Sequence, residues 1–417
     1  MTGTLFSNPG GPGASGFVTL FPMESFRENF HLVTWDPRGV GKSRPQLRNC
    51  PDAPMLRLTQ APVPAPAIGP FEWSQIAAAR RSISAQSKAL CFNNSFALAS
   101  QLGTNNVIRD LEAMRAAVGD RQLNYYGYSY GTRIGRLYAQ IYPNRVRAMV
   151  LDGVVDPQES MEDMATLATR GGKAAFKYIR RDMTEKEWQA TRKLNSALAK
   201  TQISDGVDSL SRFDLWALML GVARNEHSQL ESITGICAIA KAAVGADCGN
   251  GVSAMSQRNL RKVIRQARKR VGPSDMTSLI NAVDLVGRPD DKRIGSYISA
   301  WARTDRLRGQ VAGLNGNAYG TTAQGLPPAA SPVPSLPKKT RVSTPPLLIN
   351  GKGDLLTPFA GAKQTHKRLI GSRLISVNTS FHGIFLGDEA SKCVRKPIHK
   401  YLNRAKLPRK DRTCRRP

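Results

Sequence analysis

The strongest chemical signal in the chain is one pentapeptide, Gly127-Tyr128-Ser129-Tyr130-Gly131. A serine flanked this way, after a strand-like run and before a helix-like one, is set on a strained turn with its hydroxyl exposed. Glycines are needed on either side because neighbouring backbone comes too close for a Cβ. A serine of ordinary acidity needs a base, and that base needs an orienting acid. Around a strand–elbow–helix turn of this kind, the acid and then the histidine follow the serine along the chain. The chain has five histidines. His31 precedes Ser129, His227 lies in the helical middle of the chain, His366 falls mid-helix, and His399 sits in a helical C-terminal stretch. Only His382 occupies a loop just after a strand, so it is the predicted base. Asp354, in Gly353-Asp354-Leu355-Leu356-Thr357-Pro358, is the predicted acid. It also reads as a helix N-cap ahead of Thr357-Pro358, and Asp152 and Asp156, at the end of the preceding core strand, compete for the role.

An attacked carbonyl oxygen becomes negative and needs backbone donors already in place. The N–H of Tyr130, directly after the serine, is one expected donor. The second is expected from the glycine-rich loop Asn8-Pro9-Gly10-Gly11-Pro12-Gly13. Gly11 is favoured, since Pro12 has no N–H and a glycine lets a substrate approach; an ordinary tight turn is the competing reading. Asp36-Pro37-Arg38-Gly39-Val40-Gly41-Lys42-Ser43 ends like a phosphate-binding loop but has Asp36 where that loop needs glycine. An ion pair between Asp36 and Arg38 is expected there instead of nucleotide binding. No cofactor and no metal is expected.

These residues must be positioned by alternating strands and helices. Thr4–Asn8, His31–Asp36, Leu123–Tyr128 and Ala148–Asp152 read as strands, and Asn105–Val118 places Val107, Leu111, Met114 and Val118 at helical spacing. A helix runs from the elbow through Tyr142 until Pro143 ends it. Such alternation implies a mostly parallel sheet with helices on both faces. From about 158 to 325 the pattern turns helical, most clearly over Glu185–Lys200, Phe213–Val222 and Ala254–Arg270, with no strong strand between. The proline-rich Leu326–Pro346 reads as an extended connector. The strand–helix pattern then resumes with Leu347–Asn350, a helix near Thr357–Leu369, and Leu374–Val377. The resulting division is a first core segment over 1–157, a helical lid with its connector over 158–339, and a second core segment with a C-terminal tail over 340–417.

The chain of 417 residues is 41% hydrophobic, enough to bury a core of that size. No run reaches the roughly eighteen apolar residues that a membrane-spanning helix needs, and Met1–Phe6 is too short for a secretory leader. Sixty Lys and Arg against 31 Asp and Glu give a net charge of +29. No nucleic-acid-binding signature accompanies that charge. It reads as a solvated surface, one suited to adhesion on anionic cell-wall polymers. The six cysteines, Cys50, Cys91, Cys237, Cys248, Cys393 and Cys414, contain no C-x-x-C pair. Their three sequence-local pairs fit disulfides and an oxidising compartment, with free buried thiols as the alternative.

Asn8-Pro9-Gly10-Gly11-Pro12-Gly13, Asp36-Pro37-Arg38-Gly39-Val40-Gly41-Lys42-Ser43, Gly127-Tyr128-Ser129-Tyr130-Gly131-Thr132, Leu151-Asp152-Gly153-Val154-Val155-Asp156-Pro157 and Asp354-Leu355-Leu356-Thr357-Pro358 stand in one order. In that order the chain resembles secreted tripeptidyl aminopeptidase-like enzymes, of the proline iminopeptidase-related group of α/β-hydrolases. The resemblance implies an α/β-hydrolase fold with a helical lid insertion. It further implies an exopeptidase acting at free peptide N-termini, with Ser129, Asp354 and His382 as triad, and the pairs Cys393–Cys414 and Cys50–Cys91. Relatives carry a signal peptide and two strands ahead of the segment that opens this chain, so N-terminal strands of the fold are expected to be missing. Phe381 replaces the glycine usual before the histidine, where it would shift His382 or narrow the pocket. Exopeptidases of this group anchor the substrate ammonium with lid carboxylates. Glu226 and Glu231 are the candidates here, set against their reading as solvated helix charges.

The expected substrate is therefore a short peptide, cleaved through an acyl-enzyme on Ser129 to release short peptides or single residues. The alternatives are an esterase or amidase acting on small molecules, and a truncated, inactive, basic binding protein. Cysteine pairing and the resemblance point to a secreted or periplasmic protein. The lack of a leader in Met1–Phe6 keeps the cytoplasm as runner-up.

Overall fold

A computed structural model of the chain describes residues 1–19, 23–45, 96–156, 174–198, 226–249, 275–285, 290–304, 328–385 and 390–415, with a few isolated positions between them. The first core segment contains β1 (Thr4–Asn8), β2 (His31–Thr34), α1 (Phe96–Ser100), α2 (Thr104–Ala117), β3 (Leu123–Tyr128), α3 (Tyr130–Ile141) and β4 (Val146–Asp152). The insertion contributes α4 (Glu185–Leu198), β5 (Ile203–Ser204), β6 (Ser209–Leu210), α5 (Glu226–Val244), α6 (Asp275–Asp284) and α7 (Asp291–Thr304). The chain closes with β7 (Thr340–Arg341), β8 (Leu347–Gly351), α8 (Phe359–Arg368), β9 (Leu369–Ile370), β10 (Arg373–Val377), α9 (Lys392–Arg404) and β11 (Arg412–Cys414).

Seven strands form one sheet in the order β11-β10-β8-β4-β3-β1-β2, and each pairing in it is parallel. Parallel strands buried on both faces read as near-continuous apolar runs, and β8 (LLING) and β4 (VRAMVLD) do so. Successive side chains point to opposite faces. Thus Phe6, Tyr125, Leu151 and Leu348 enter one core, while Leu5, Tyr126, Val150 and Leu347 enter the other. The first core packs under α2, α3 and α6; the second packs under α9, with Phe26 and Phe30. The chain runs outward from β1 to β2, then returns across β1 to β3 and continues the other way. The strand order therefore reverses between β1 and β3, and open sheets of this kind bind ligands outside the carboxyl ends at such a reversal.

Element by element, the expected strands and helices of both core segments are present within one to three residues. Two expected helices, Phe213–Val222 and Ala254–Arg270, lie largely or wholly outside the described residues, as do Cys50 and Cys91. The insertion does contain strand: β5 and β6 form a small antiparallel pair, too short for an alternating pattern to show. The proline-rich connector is pinned along the core, with the Ala329 N–H donating to the Val283 carbonyl and that of Ala330 to Ser100. Among the described residues two disulfides form, Cys237–Cys248 tying the middle of α5 to the chain beyond its end and Cys393–Cys414 joining α9 to β11. Among the described residues, no helix is long and apolar enough to cross a membrane.

The expected Asp36–Arg38 ion pair is not made. Arg38 instead forms a two-pronged pair with Asp110 on α2, at 2.6 and 2.8 Å. Asp36 accepts from the Ser15 hydroxyl and from the backbone N–H groups of Gly16 and Lys42. Burial pushes its carboxyl up, but the Lys42 N–H, Ser15 and Gly16 together outweigh this and hold it below the usual range. A carboxylate that collects one donor from its own loop and two from the segment after β1 has no need of the adjacent guanidinium.

Candidate active site

Ser129 stands between β3 and α3 with φ 55° and ψ −123°, a backbone conformation that costs a non-glycine residue on the order of 1–3 kcal/mol. The turn is held by the Ser129 N–H on the Asp152 carbonyl at 2.9 Å and by the Thr132 N–H and hydroxyl on the Ser129 carbonyl. It also explains the flanking glycines. A Cβ on Gly127 would sit 2.4 Å from the Gly131 oxygen, and one on Gly131 would sit 2.5 Å from the Asn8 oxygen.

Register sets what lies beside the elbow. Asn8, the last residue of β1, is paired with Gly127 near the end of β3, so the loop that follows folds onto Ser129. A Cβ on Gly10 would fall 2.9 Å from Ser129 Cβ and 2.7 Å from the Tyr130 nitrogen. Gly11, with φ 102°, follows at once. Tyr130 opens α3, so its N–H projects from the positive end of the helix. The two expected donors thus come from the loop after β1 and the first residue of α3, at the point where the strand order reverses.

His382 follows β10, and its Nδ1 lies 2.9 Å from Asp354 Oδ2. Both groups are buried, Asp354 to 1% exposure and His382 to 7%. The second carboxylate oxygen of Asp354 accepts the N–H groups of Leu356 and Thr357, each at 2.9 Å. The Thr357 hydroxyl adds a bond to Oδ2 at 2.7 Å and stands 3.1 Å from the His382 ring. Turn-capping and histidine contact are therefore compatible roles for one carboxylate. A neutral imidazole bonded this way keeps its proton on Nδ1 and presents Nε2 as acceptor. Tyr128, next to the serine, donates its hydroxyl to the His382 carbonyl at 3.0 Å and packs its ring 5.0 Å from the imidazole.

Of the competing acids, Asp156 lies against Gly361 of α8. Asp152 is fully buried and accepts the Tyr126 hydroxyl and the N–H groups of Ile384 and Phe385. It thereby holds the chain just beyond His382. Burial pushes its carboxyl up, opposed by the Phe385 and Ile384 N–H groups, by Tyr126 and by the field of His382. Phe381 is half-buried, with its N–H on the Thr379 hydroxyl, and the Asp354–His382 contact forms beside it. In the insertion, Glu231 is exposed on α5, and Glu226 is the first residue of that helix. Sequence reasoning missed Thr357, although a hydroxyl three residues beyond a candidate acid is a usable signal. It also missed Thr104, which contacts Tyr130, and Asp284, which bonds Thr104 across 180 residues of chain. Among the described residues, no three His, Cys, Asp or Glu side chains gather as a metal site would require.

Residues 4–207 match the family model described as the alpha/beta hydrolase fold, and residues 322–414 match that of the TAP-like protein. Over 439 aligned residues the chain is 28% identical to a tripeptidyl aminopeptidase of Streptomyces lividans, covering 99% of this chain and 76% of that protein. It is 39% identical over 181 residues to the serine protease Hip1 of Mycobacterium tuberculosis, covering 42% of this chain and only 34% of the relative. A carboxylesterase B of the same organism is 37% identical over 179 residues, or 40% of this chain and 33% of the esterase.

Proposed function

The chain belongs to the tripeptidyl aminopeptidase-like serine peptidases of the α/β-hydrolase family, and from that premise we propose that it is an exo-aminopeptidase working through an acyl-enzyme on Ser129. His382 Nε2 takes the Ser129 proton as Oγ attacks the amide carbonyl of a short peptide. The N–H groups of Gly11 and Tyr130 receive the oxyanion. His382 then gives its proton to the leaving amine, and water, activated by the same imidazole, releases the acyl group. Asp354 fixes the ring and stabilises the transient imidazolium. The observation that carries this reading is the buried 2.9 Å contact of Asp354 with His382, supported by the strained elbow at Ser129.

The insertion roofs the site and restricts it to short, unblocked chain ends, with Glu226 and Glu231 as the proposed ammonium anchors. The two disulfides support secretion into an oxidising compartment. Ser129→Ala is expected to lower hydrolysis of a free aminoacyl or tripeptidyl anilide by roughly a millionfold; a variant that keeps its rate refutes the mechanism. The N-acetylated anilide should lose most of the wild-type rate. Equal rates on free and blocked substrates would establish an esterase or amidase on the same machinery.

A further inference from the structure

We infer that helix α6 of the insertion is a brace for the oxyanion hole, with Thr277 and Asp284 as positioning residues at its two ends. The inference rests on the reading of Gly11 and Tyr130 as the oxyanion donors. Near the first end, the Thr277 hydroxyl donates to the carbonyl of Pro12, the residue after Gly11. Met276 closes on the same loop: a Cβ on Gly13 would fall 2.6 Å from Met276 Cβ. Seven residues on, about 10 Å along the helix, Asp284 accepts the Thr104 N–H at 2.8 Å and the Thr104 hydroxyl as well. The Thr104 oxygen lies 2.6 Å from the Tyr130 hydroxyl. A hydroxyl has one proton to give, so Thr104 donates to Asp284 and accepts from Tyr130. The relay therefore runs from the elbow to the insertion in one direction. Arg133 of α3 stands 3.6 Å from the same carboxylate.

A single helix thus holds the Pro12 loop with one end and the first turn of α3 with the other. These are the two segments whose N–H groups must converge on one oxygen atom. The Asp284 side chain is 3% exposed, and burying a carboxylate is costly unless it is paired and hydrogen-bonded. Arg133 and Thr104 supply those partners, which locks the helix end to the elbow. Between the two ends, Leu279, Ile280 and Val283 are buried in the core under α2 and α3. The contact is therefore rigid along its length. A preorganised hole depends on donor placement, and losing one donor outright costs about a hundredfold to a thousandfold in kcat. Loosening the brace should cost a fraction of that.

The experiment compares Thr277→Val, Thr277→Ser and Asp284→Asn with wild type. The readouts are kcat and KM on whichever anilide or ester wild type cleaves, affinity for a boronic acid that forms a tetrahedral anion on the serine, and melting temperature. Thr277→Val should lower kcat about tenfold, leave KM within twofold, and weaken the boronate by a similar factor. Thr277→Ser should restore both. Asp284→Asn should act in the same direction, and if it does not fold, the Thr277 pair decides. A folded Thr277→Val with kcat and boronate affinity within twofold of wild type overturns the brace, as does a rise confined to KM. Failure of the proposed function itself shows elsewhere: a wild-type protein whose Ser129 is not labelled by a fluorophosphonate.

Discussion

Helices α4 and α5 and helix α6 belong to one insertion, yet they are buried against different things. Leu194 of α4 and Ile236 and Ile239 of α5 close a core made of insertion residues, fastened by Cys237–Cys248. Of the described residues buried in that cluster, Leu355 alone comes from a catalytic segment. Leu279, Ile280 and Val283 of α6 are instead part of the core that α2, α3 and the sheet share. A unit with its own core can shift as a body with little cost to the sheet. A helix sharing the catalytic core cannot move without opening it. The difference divides the insertion in two: the α4–α5 unit packs on a core of its own, and α6 is tied to the core beneath the elbow.

Two matched truncations test this division with the largest expected effect. Ile280→Ala and Ile236→Ala remove the same atoms from buried sites, and each should cost about 2–5 kcal/mol. Ile280→Ala should lower the melting temperature of the whole protein and lower kcat with it. Ile236→Ala should instead speed amide hydrogen exchange within 174–249 while kcat on a small substrate stays within twofold. The same kcat loss from both would mean that the insertion is a single unit.

That split was not legible in the sequence, and the reason is physical. Both halves show apolar residues at helical spacing, and periodicity reports that a helix has a buried face without saying which core receives it. Asp284 looked like any charged residue on a helix until its partners, Thr104 and Arg133, came from far along the chain. Arg38 failed for the same reason: its partner Asp110 lies 72 residues away, so the neighbouring Asp36 was a misleading choice. Local signals fared better. The elbow around Ser129 is written in five consecutive residues because steric closeness, not distant contact, dictates its glycines. Asp354 and His382 were legible as loop residues after strands, and parallel strands leave such loops on one edge of the sheet. The structure brings those two side chains together. Glu231 carries no comparable local signal in the sequence, and the structure places it on α5.

The disulfides extend the comparison at a smaller scale. Cys237 and Cys248 are 11 residues apart, and Cys393 and Cys414 are 21 apart. Closure entropy for loops of these lengths is worth about 3 kcal/mol each. Replacing Cys237 and Cys248 with serine should make the α4–α5 unit the first site of proteolysis, with kcat unchanged. The same change at Cys393 and Cys414 frees α9 from β11 and should lower the melting temperature of the sheet. Loss of kcat in the first variant, measured before any cleavage, would show that the α4–α5 unit is coupled to the site after all.

The smallest effect comes from one ion pair on each side of the division. Arg38 and Asp110 join the loop after β2 to α2 through two bonds, with side chains 38% and 33% exposed. Arg180 and Glu185 pair within the insertion, with side chains 37% and 64% exposed. Solvent screens both, so neither should exceed about 1 kcal/mol. The two-pronged geometry fixes the guanidinium of Arg38 in one orientation, and it bridges elements distant in sequence; the Arg180 pair spans only five residues. A double-mutant cycle should therefore return about 1 kcal/mol for Arg38 with Asp110 and roughly 0.3 kcal/mol for Arg180 with Glu185. Both values should shrink in high salt. A larger coupling within the insertion than across the core would reverse the comparison, because the α4–α5 unit would then be held by its surface charges rather than by Leu194, Ile236 and Ile239.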